Sequence, residues 1–391
     1  MNSLERVKAA IHFKKPDRAP VIDLIGGDAI MLPLIPSQKW RPGWLEGEEG
    51  LFPHIGRGYK WNRPDWAKNI PEYEGESWRT IPHEEIDEWG CIWNLSGRED
   101  NMGHPGRPAL KDWADFDEHF EKYNPDPNDA SRFKIIRAIQ NTVKEEKYNL
   151  VLMDFGPFEV ASKTIGFSQY LMDHRRHPQE VKKILKHITS YQVKMMEFIT
   201  KNDINPHGFL IYEDLGEQNN PYLNPKVFKK FYEPVYKTLI DKAHELACEY
   251  HIHSCGKIDK LLPAFIEWGL DGIEFDSPRM SGYPNLAPYR GKIMMWGCIN
   301  IQSVYPNGTK EEVQREVWHM VRNLGTKDGG FGAYFYPQPK DIRAPNRNII
   351  AFRRGLKKYS VYSEIPSHWW DHPVPEVWKD NEVPPLPPVT I

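Results

Sequence analysis

From residue 148 to residue 359 the chain alternates short apolar runs with amphipathic stretches, and this alternation narrows the fold more than any other feature. "YNLVLMDF", "HGFLIYED", "CEYHIHSC", "DGIEFDS", "GKIMMWGCIN" and "GGFGAYFYP" read as buried strands. "FEVASKTIGFSQYLMDH", "PQEVKKILKHITSYQVKMMEFITKND", "NPKVFKKFYEPVYKTLIDKAHEL", "KIDKLLPAFIEWG", "TKEEVQREVWHMVRNLG" and "PNRNIIAFRRGLKKYS" read as helices between and after them. Upstream, a helix over residues 3–12 with Ser3 as N-cap precedes the strand "RAPVIDL". "DPNDASRFKIIRAIQNTVKEEK" carries Phe133, Ile136, Ile139 and Val143 at helical spacing. Strands that alternate with helices make βα units and a parallel sheet. About eight such units favour a closed (β/α)8 TIM barrel over an open doubly wound sheet, and no GxGxxG follows any strand. The expected layout is an α/β barrel over residues 1–360, interrupted by an irregular insertion at 33–82 and a hairpin at 83–97, then a tail at 361–391.

Composition excludes several functions. The charges nearly balance, 51 Lys+Arg against 54 Asp+Glu, which argues against a dedicated nucleic-acid surface. No apolar run is long enough to span a membrane, and the opening residues lack the apolar stretch of a signal peptide. Four cysteines in 391 residues form no disulfide framework, so a reduced cytoplasmic protein with buried thiols is expected. Residues 33–82 are rich in proline and tryptophan. Trp40 and Trp44, with Trp61 and Trp66, line a pocket for an aromatic substrate or simply pack the insertion onto the barrel; sequence leaves both open. The tail "PSHWWDHPVPEVWKDNEVPPLPPVTI" has too many prolines for a helix. It is expected to run extended across a surface, its own or that of a second subunit in a homodimer.

In such a barrel the functional side chains stand at the C-terminal ends of the strands. Those ends carry Asp23; Asp154; Glu213 and Asp214; His253 and Cys255; Asp276; Cys298 and Asn300; Tyr334 and Tyr336. The set is rich in acids and soft ligands, as a site would be. His253 and Cys255 are two apart, the spacing that puts both side chains on one face of a strand. His251 shares that face and is expected to be a hydrogen-bonded core residue. Of the adjacent pair Glu213 and Asp214 only one can face inward, and Glu213 is the expected catalytic member. Asp276, Tyr334 and Tyr336 complete the expected catalytic set, and Asp23 and Asp154 the substrate contacts.

Several segments, in order, resemble the uroporphyrinogen decarboxylase-like proteins. "SLERVKAAIHFKKPDRAPV" is similar to their opening helix and turn, and "MDFGPFEVASKTIGFSQYLMDHRRHPQEVKKIL" to a following helical region. "YEDLGEQNNPYLNPKVFKKFYEPVYKTLI", "HIHSCGKIDKLLPAFIEWGLDGIEFD" and "GGFGAYFYPQPKDIRAPNRNIIAF" match later units. The decarboxylases of this superfamily use an arginine-rich loop after the first strand to grip substrate carboxylates. Here that place reads "DLIGGDAIMLPLIPSQKWRPG". The cobamide-dependent methyltransferase branch is marked by H-x-C, matched by His253-Ser254-Cys255.

That resemblance implies zinc on His253 and Cys255, a small methyl donor such as an aryl methyl ether, and a cobamide carried by a separate corrinoid protein. It implies a methyltransferase that activates a heteroatom at the barrel mouth, with zinc or an acid. The branch's third ligand is a cysteine after the last strand, but that loop here offers Gln338, Pro339 and Lys340. Asp276 is the expected replacement, with Cys298, Glu213 and His251 as further candidates. A metal-free site using Tyr334 or Tyr336 as general acid, a cofactor-free decarboxylase and a non-catalytic member of the fold remain as alternatives.

Overall fold

The computed structural model describes residues 1–23, 26–37, 51–53, 82–96, 104–366, 369–370 and 383–386. Its strands, in chain order, are β1 (Val21–Asp23), β2 (Ala29–Pro33), β3 (Leu51–Pro53), β4 (Pro82–Ile86), β5 (Ile92–Ser96), β6 (His104–Pro105), β7 (Tyr148–Phe155), β8 (Gly208–Tyr212), β9 (Glu249–Ser254), β10 (Gly272–Phe275), β11 (Met294–Gly297) and β12 (Phe331–Tyr334). Eight of them close a parallel barrel in the order β1-β12-β11-β10-β9-β8-β7-β2, with helices between most successive strands. The expected TIM barrel is therefore the observed fold.

One barrel strand was not legible as such. β2, which no strand reading covered, ends where the expected insertion begins, and only residues 24–28 separate it from β1. The two nevertheless pair in parallel, Ile22 opposite Ala29. Parallel neighbours ordinarily need a crossover of a dozen residues or more, so the rule that finds βα units passes over this one.

The chain divides into two compact units. The first, residues 1–32, 142–154 and 205–391, contains the barrel strands apart from the last residues of β2 and β7. Its interior follows from side-chain alternation along the strands. On β9, Glu249, His251 and His253 face inward, and His251 meets Trp296 of β11 across the intervening β10, ring centroids 6.3 Å apart. That contact is possible because β10 offers Gly272 at this level; a Cβ there would stand 2.3 Å from His251 Nδ1. Gly332 on β12 makes the same room for Trp296, whose ring lies 2.2 Å from where its Cβ would be.

The barrel floor is a buried polar network. Lys8 Nζ donates to both Glu249 oxygens at 2.7 Å, and Tyr148 Oη donates to Oε2 at 3.0 Å. Tyr148 Oη also lies 3.1 Å from His251 Nε2, so His251 is the hydrogen-bonded core residue its position implies. The first helix, Ser3–Ile11, holds Lys8 in place; its N-cap is Asn2, which forms a capping box with Glu5, rather than Ser3. Ser3 instead donates to Asp28. Described residues of the tail pack on their own chain: Arg315 Nη2 donates to the Val383 carbonyl at 3.1 Å, and Trp369 stacks on Trp318 at 5.0 Å.

The second unit, residues 33–141 and 155–204, holds a four-stranded sheet in the order β3-β4-β5-β6. β4 and β5 pair antiparallel with Pro82 opposite Ser96. The helix read over 158–174 is two helices, Pro157–Ile165 and Phe167–Arg176. Gly166 separates them at φ +92°, with Pro108 occupying the place of a side chain. Buried Arg132 clasps Glu88 with two hydrogen bonds of 2.7 and 3.0 Å. No disulfide joins the four cysteines, and no helix among the described residues is long and apolar enough to cross a membrane.

Candidate active site

His253 stands near the C-terminal end of β9, and Cys255 follows where the strand breaks. Gly256 turns the chain at φ +83°, and a Cβ on it would lie 2.1 Å from the Gly216 carbonyl oxygen. Only glycine lets the loops after β8 and β9 approach so closely. Those loops are clipped together. Leu215 N donates to Ser254 Oγ at 3.1 Å, Cys255 N to Asp214 Oδ1 at 3.0 Å, and Lys257 N to the Glu217 carbonyl at 2.8 Å. The clip brings Asp214 Oδ1 to 3.6 Å from His253 Nε2.

β10 supplies the other half. Glu274 lies directly opposite His253 in the parallel register and accepts a hydrogen bond from its Nδ1. This leaves Nε2 turned towards the Cys255 sulfur, 3.5 Å away. Two residues on, Asp276 accepts from the Cys255 thiol at 3.1 Å. Ligand atoms of Asp214, His253 and Cys255 all lie within 4.8 Å of one another, as do those of His253, Glu274 and Asp276. A nitrogen, a sulfur and carboxylate oxygens are the donor set that divalent zinc accepts. A carboxylate on the far nitrogen of a histidine is the usual outer support of such a ligand. The residues present therefore fit a zinc ion.

The charges are strongly coupled. Burial pushes Glu274 up to about 7, against the pull of the His253 imidazole. Burial opposes charge on His253, but Glu274, Cys255 and Asp214 together outweigh it and hold the imidazole well above its ordinary value. Burial raises the Cys255 thiol well above the usual range, and it raises Asp276 as well. Burial would also raise Asp214, yet the hydrogen bond and charge of His253 win and lower it to about 2.

Phenols border this cluster. The Tyr212 ring meets His253 edge-on at 5.0 Å, and burial lifts its hydroxyl to about 12. Tyr334 on β12 and Tyr336 beyond it are raised by burial first, then by the charges of Glu274 and Asp276 respectively. All three remain protonated, and so able to donate, across the physiological range.

The structure thus gathers His253, Cys255, Asp276, Tyr334 and Tyr336 as the sequence implied. Glu213 departs from expectation. Adjacent strand residues face opposite sides, and Glu213 points outward, where Tyr236 of the helix Pro225–Glu245 donates to it at 2.7 Å. Asp214 occupies the inward place. Cys298 is fully buried, and burial, with Asp276 and Glu274, keeps it a thiol; neither ligand group among the described residues includes it. Asp23 is held by Arg353 at 2.9 Å, and Asp154, the last residue but one of β7, has φ +82° and lies within electrostatic reach of Tyr212. Trp40 and Trp44 lie outside the described residues. Glu274 was missed, although its place two residues before Asp276 on one strand face was a usable signal.

Comparison with known proteins bears on the family and the fold. The family model described as uroporphyrinogen decarboxylase (URO-D) matches residues 97–332. No curated protein sequence matches the chain. Among solved structures, a methyltransferase from Methanosarcina mazei is 16% identical with TM-score 0.51, covering 70% of this chain and 76% of its own, a likeness of fold. Xylanase B from Clostridium stercorarium (11% identical, TM-score 0.33, 55% of this chain and 73% of its own) shares too little to carry an argument. So does a 3-keto-D-glucoside 4-epimerase from E. coli (9%, TM-score 0.30, 57% and 92%). Because the family model spans more than half of the chain, the protein belongs to the uroporphyrinogen decarboxylase family.

Proposed function

We propose that this chain is a methyltransferase, moving a methyl group between a small substrate and a cobamide carried on a separate corrinoid protein. One observation carries the reading: His253 Nε2, Cys255 Sγ and Asp214 Oδ1 converge, with Glu274 fixing His253 from behind. These residues would hold zinc, and Asp276, already against the thiol, is a further carboxylate within reach. A zinc ion bound there would supply Lewis acidity to an ether oxygen or a thiol.

The chain's own residues do the rest. Glu274 keeps a proton on Nδ1 of His253, so the other ring nitrogen stays directed at the site. Tyr336, raised first by burial and then by Asp276 and Cys255, would give a proton to a departing oxygen. The likeness in fold to a methyltransferase supports the same reaction class. An aryl methyl ether is a donor suited to this chemistry, and the open end of the barrel is where a corrinoid protein would dock.

Metal analysis of protein purified without chelators, wild type against Cys255→Ser, tests the reading. One zinc per chain, lost in the variant, is expected. Metal-free wild type, or a variant that keeps its zinc, would sink it. Methyl transfer from an aryl methyl ether to cob(I)alamin, followed by the cobalamin spectrum, then tests the reaction itself.

A further inference from the structure

The inward faces of three neighbouring strands carry three polar atoms that nothing among the described residues satisfies: His251 Nδ1 on β9, Glu274 Oε1 on β10 and Trp296 Nε1 on β11. The three residues are at most 1% exposed. An unpaired buried polar atom is costly, and three of them in adjacent layers of one barrel interior call for a common partner.

The nitrogens flank one point. β10 has no side chain at Gly272, opposite His251 in the register, and a Cβ there would stand 2.3 Å from His251 Nδ1 and 3.2 Å from Trp296 Nε1. A single water molecule can reach two atoms set this closely about one spot. Glu274 is the next inward residue of β10, opposite His253 on β9 and opposite Trp296 on β11. With Oε2 accepting from His253, Oε1 is the oxygen left over.

The donors and acceptors match water. Lys8 keeps Glu249 an acceptor, so the one phenol proton of Tyr148 goes to Glu249 and the phenol oxygen faces His251 Nε2. Nε2 therefore carries the ring proton, and in the neutral imidazole Nδ1 is an acceptor. Glu274 Oε1 is a second acceptor, and the Trp296 indole N–H is a donor. Water satisfies two acceptors and one donor at once, and about three hydrogen bonds is the usual complement of a buried water. A metal cation would leave the indole N–H unpaired, and an anion would face both acceptors.

We infer that one water molecule is bound between His251, Glu274 and Trp296, and that Trp296 and His251 act through it as positioning residues for Glu274. The water completes a hydrogen-bonded column through the barrel. It runs from Lys8 and Glu249 at the floor, through Tyr148 and His251, to Glu274 and His253 at the rim. With its second oxygen held, Glu274 keeps the first aimed at His253 Nδ1, and the imidazole keeps the rotation that turns Nε2 to the Cys255 sulfur. Any effect on metal binding rests on the zinc reading; the water and the column do not, and metal-free protein tests them separately from it.

A crystal structure of metal-free protein that resolves ordered water should show one water within hydrogen-bond distance of all three atoms, and Trp296→Phe should displace it. Proton NMR of the same proteins, labelled at the histidine nitrogens, follows the His253 Nδ1 proton, identified by its absence in His253→Asn. In Trp296→Phe its resonance should move, or vanish through faster exchange with solvent. Met294→Leu repacks the same strand face and removes no hydrogen bond, so it should leave the water and the resonance unchanged. The wild-type density decides the water whether or not the tryptophan variant folds. No water at that point, an unmoved His253 resonance in Trp296→Phe, or an equal shift in Met294→Leu overturns the inference.

Discussion

Glu274→Gln tests whether the carboxylate behind His253 tunes the site. In the wild type, burial opposes charge on the imidazole, but Glu274, with Cys255 and Asp214, raises it well above its ordinary value, so metal-free protein carries a proton on both ring nitrogens at neutral pH. Cys255 is likewise protonated, its thiol raised by burial. Zinc must then displace about two protons, and the logarithm of its apparent affinity should climb with a slope near two per pH unit between about pH 7 and 8.5. Glutamine can still accept from Nδ1 but carries no charge. The variant imidazole, desolvated and without its largest counter-charge, should be neutral through this range, and the slope should fall to about one. Loss of the carboxylate should also weaken intrinsic zinc affinity by about 10- to 100-fold, or about 1.4–2.7 kcal/mol. Competition against a chromophoric chelator at several pH values measures both quantities. A variant with the wild-type slope and an affinity within about threefold would refute the argument that Glu274 acts through His253.

Two further variants probe the clipped loops and the outward face. Asp214 is lowered to about 2 from 3.8, so its ionised form contributes stability above pH 4 that is lost as pH falls towards 2. Its side chain is 43% exposed, so screening cuts the benefit to about 1 kcal/mol; Asp214→Asn should lose that at pH 7 in metal-free denaturant unfolding and match the wild type near pH 2. Tyr236→Phe removes a donor to buried Glu213 and should cost about 1 kcal/mol of stability. Zinc content should stay the same, and its loss would return Glu213 to the site.

The periodicity of the chain and the H-x-C pair determined a good deal without any structure. Six strands between residues 148 and 336 were legible because most are short, mainly apolar runs that alternate with amphipathic stretches, and parallel strands buried on both faces need such runs. His253 and Cys255 were legible because strand alternation is a local rule. Three things were not local. β2 pairs in parallel with β1 across residues 24–28, a connection too short for any rule about crossovers. Whether Glu213 or Asp214 faces inward depends on the phase of β8 within the barrel, which Tyr236 on one side and His253 on the other reveal. Glu274 meets His253 only because β10 registers it opposite that residue, 21 positions away in the chain. Sequence names the groups that can carry this chemistry. Their convergence on one imidazole is decided by register between strands, a property of the closed barrel that no single segment contains.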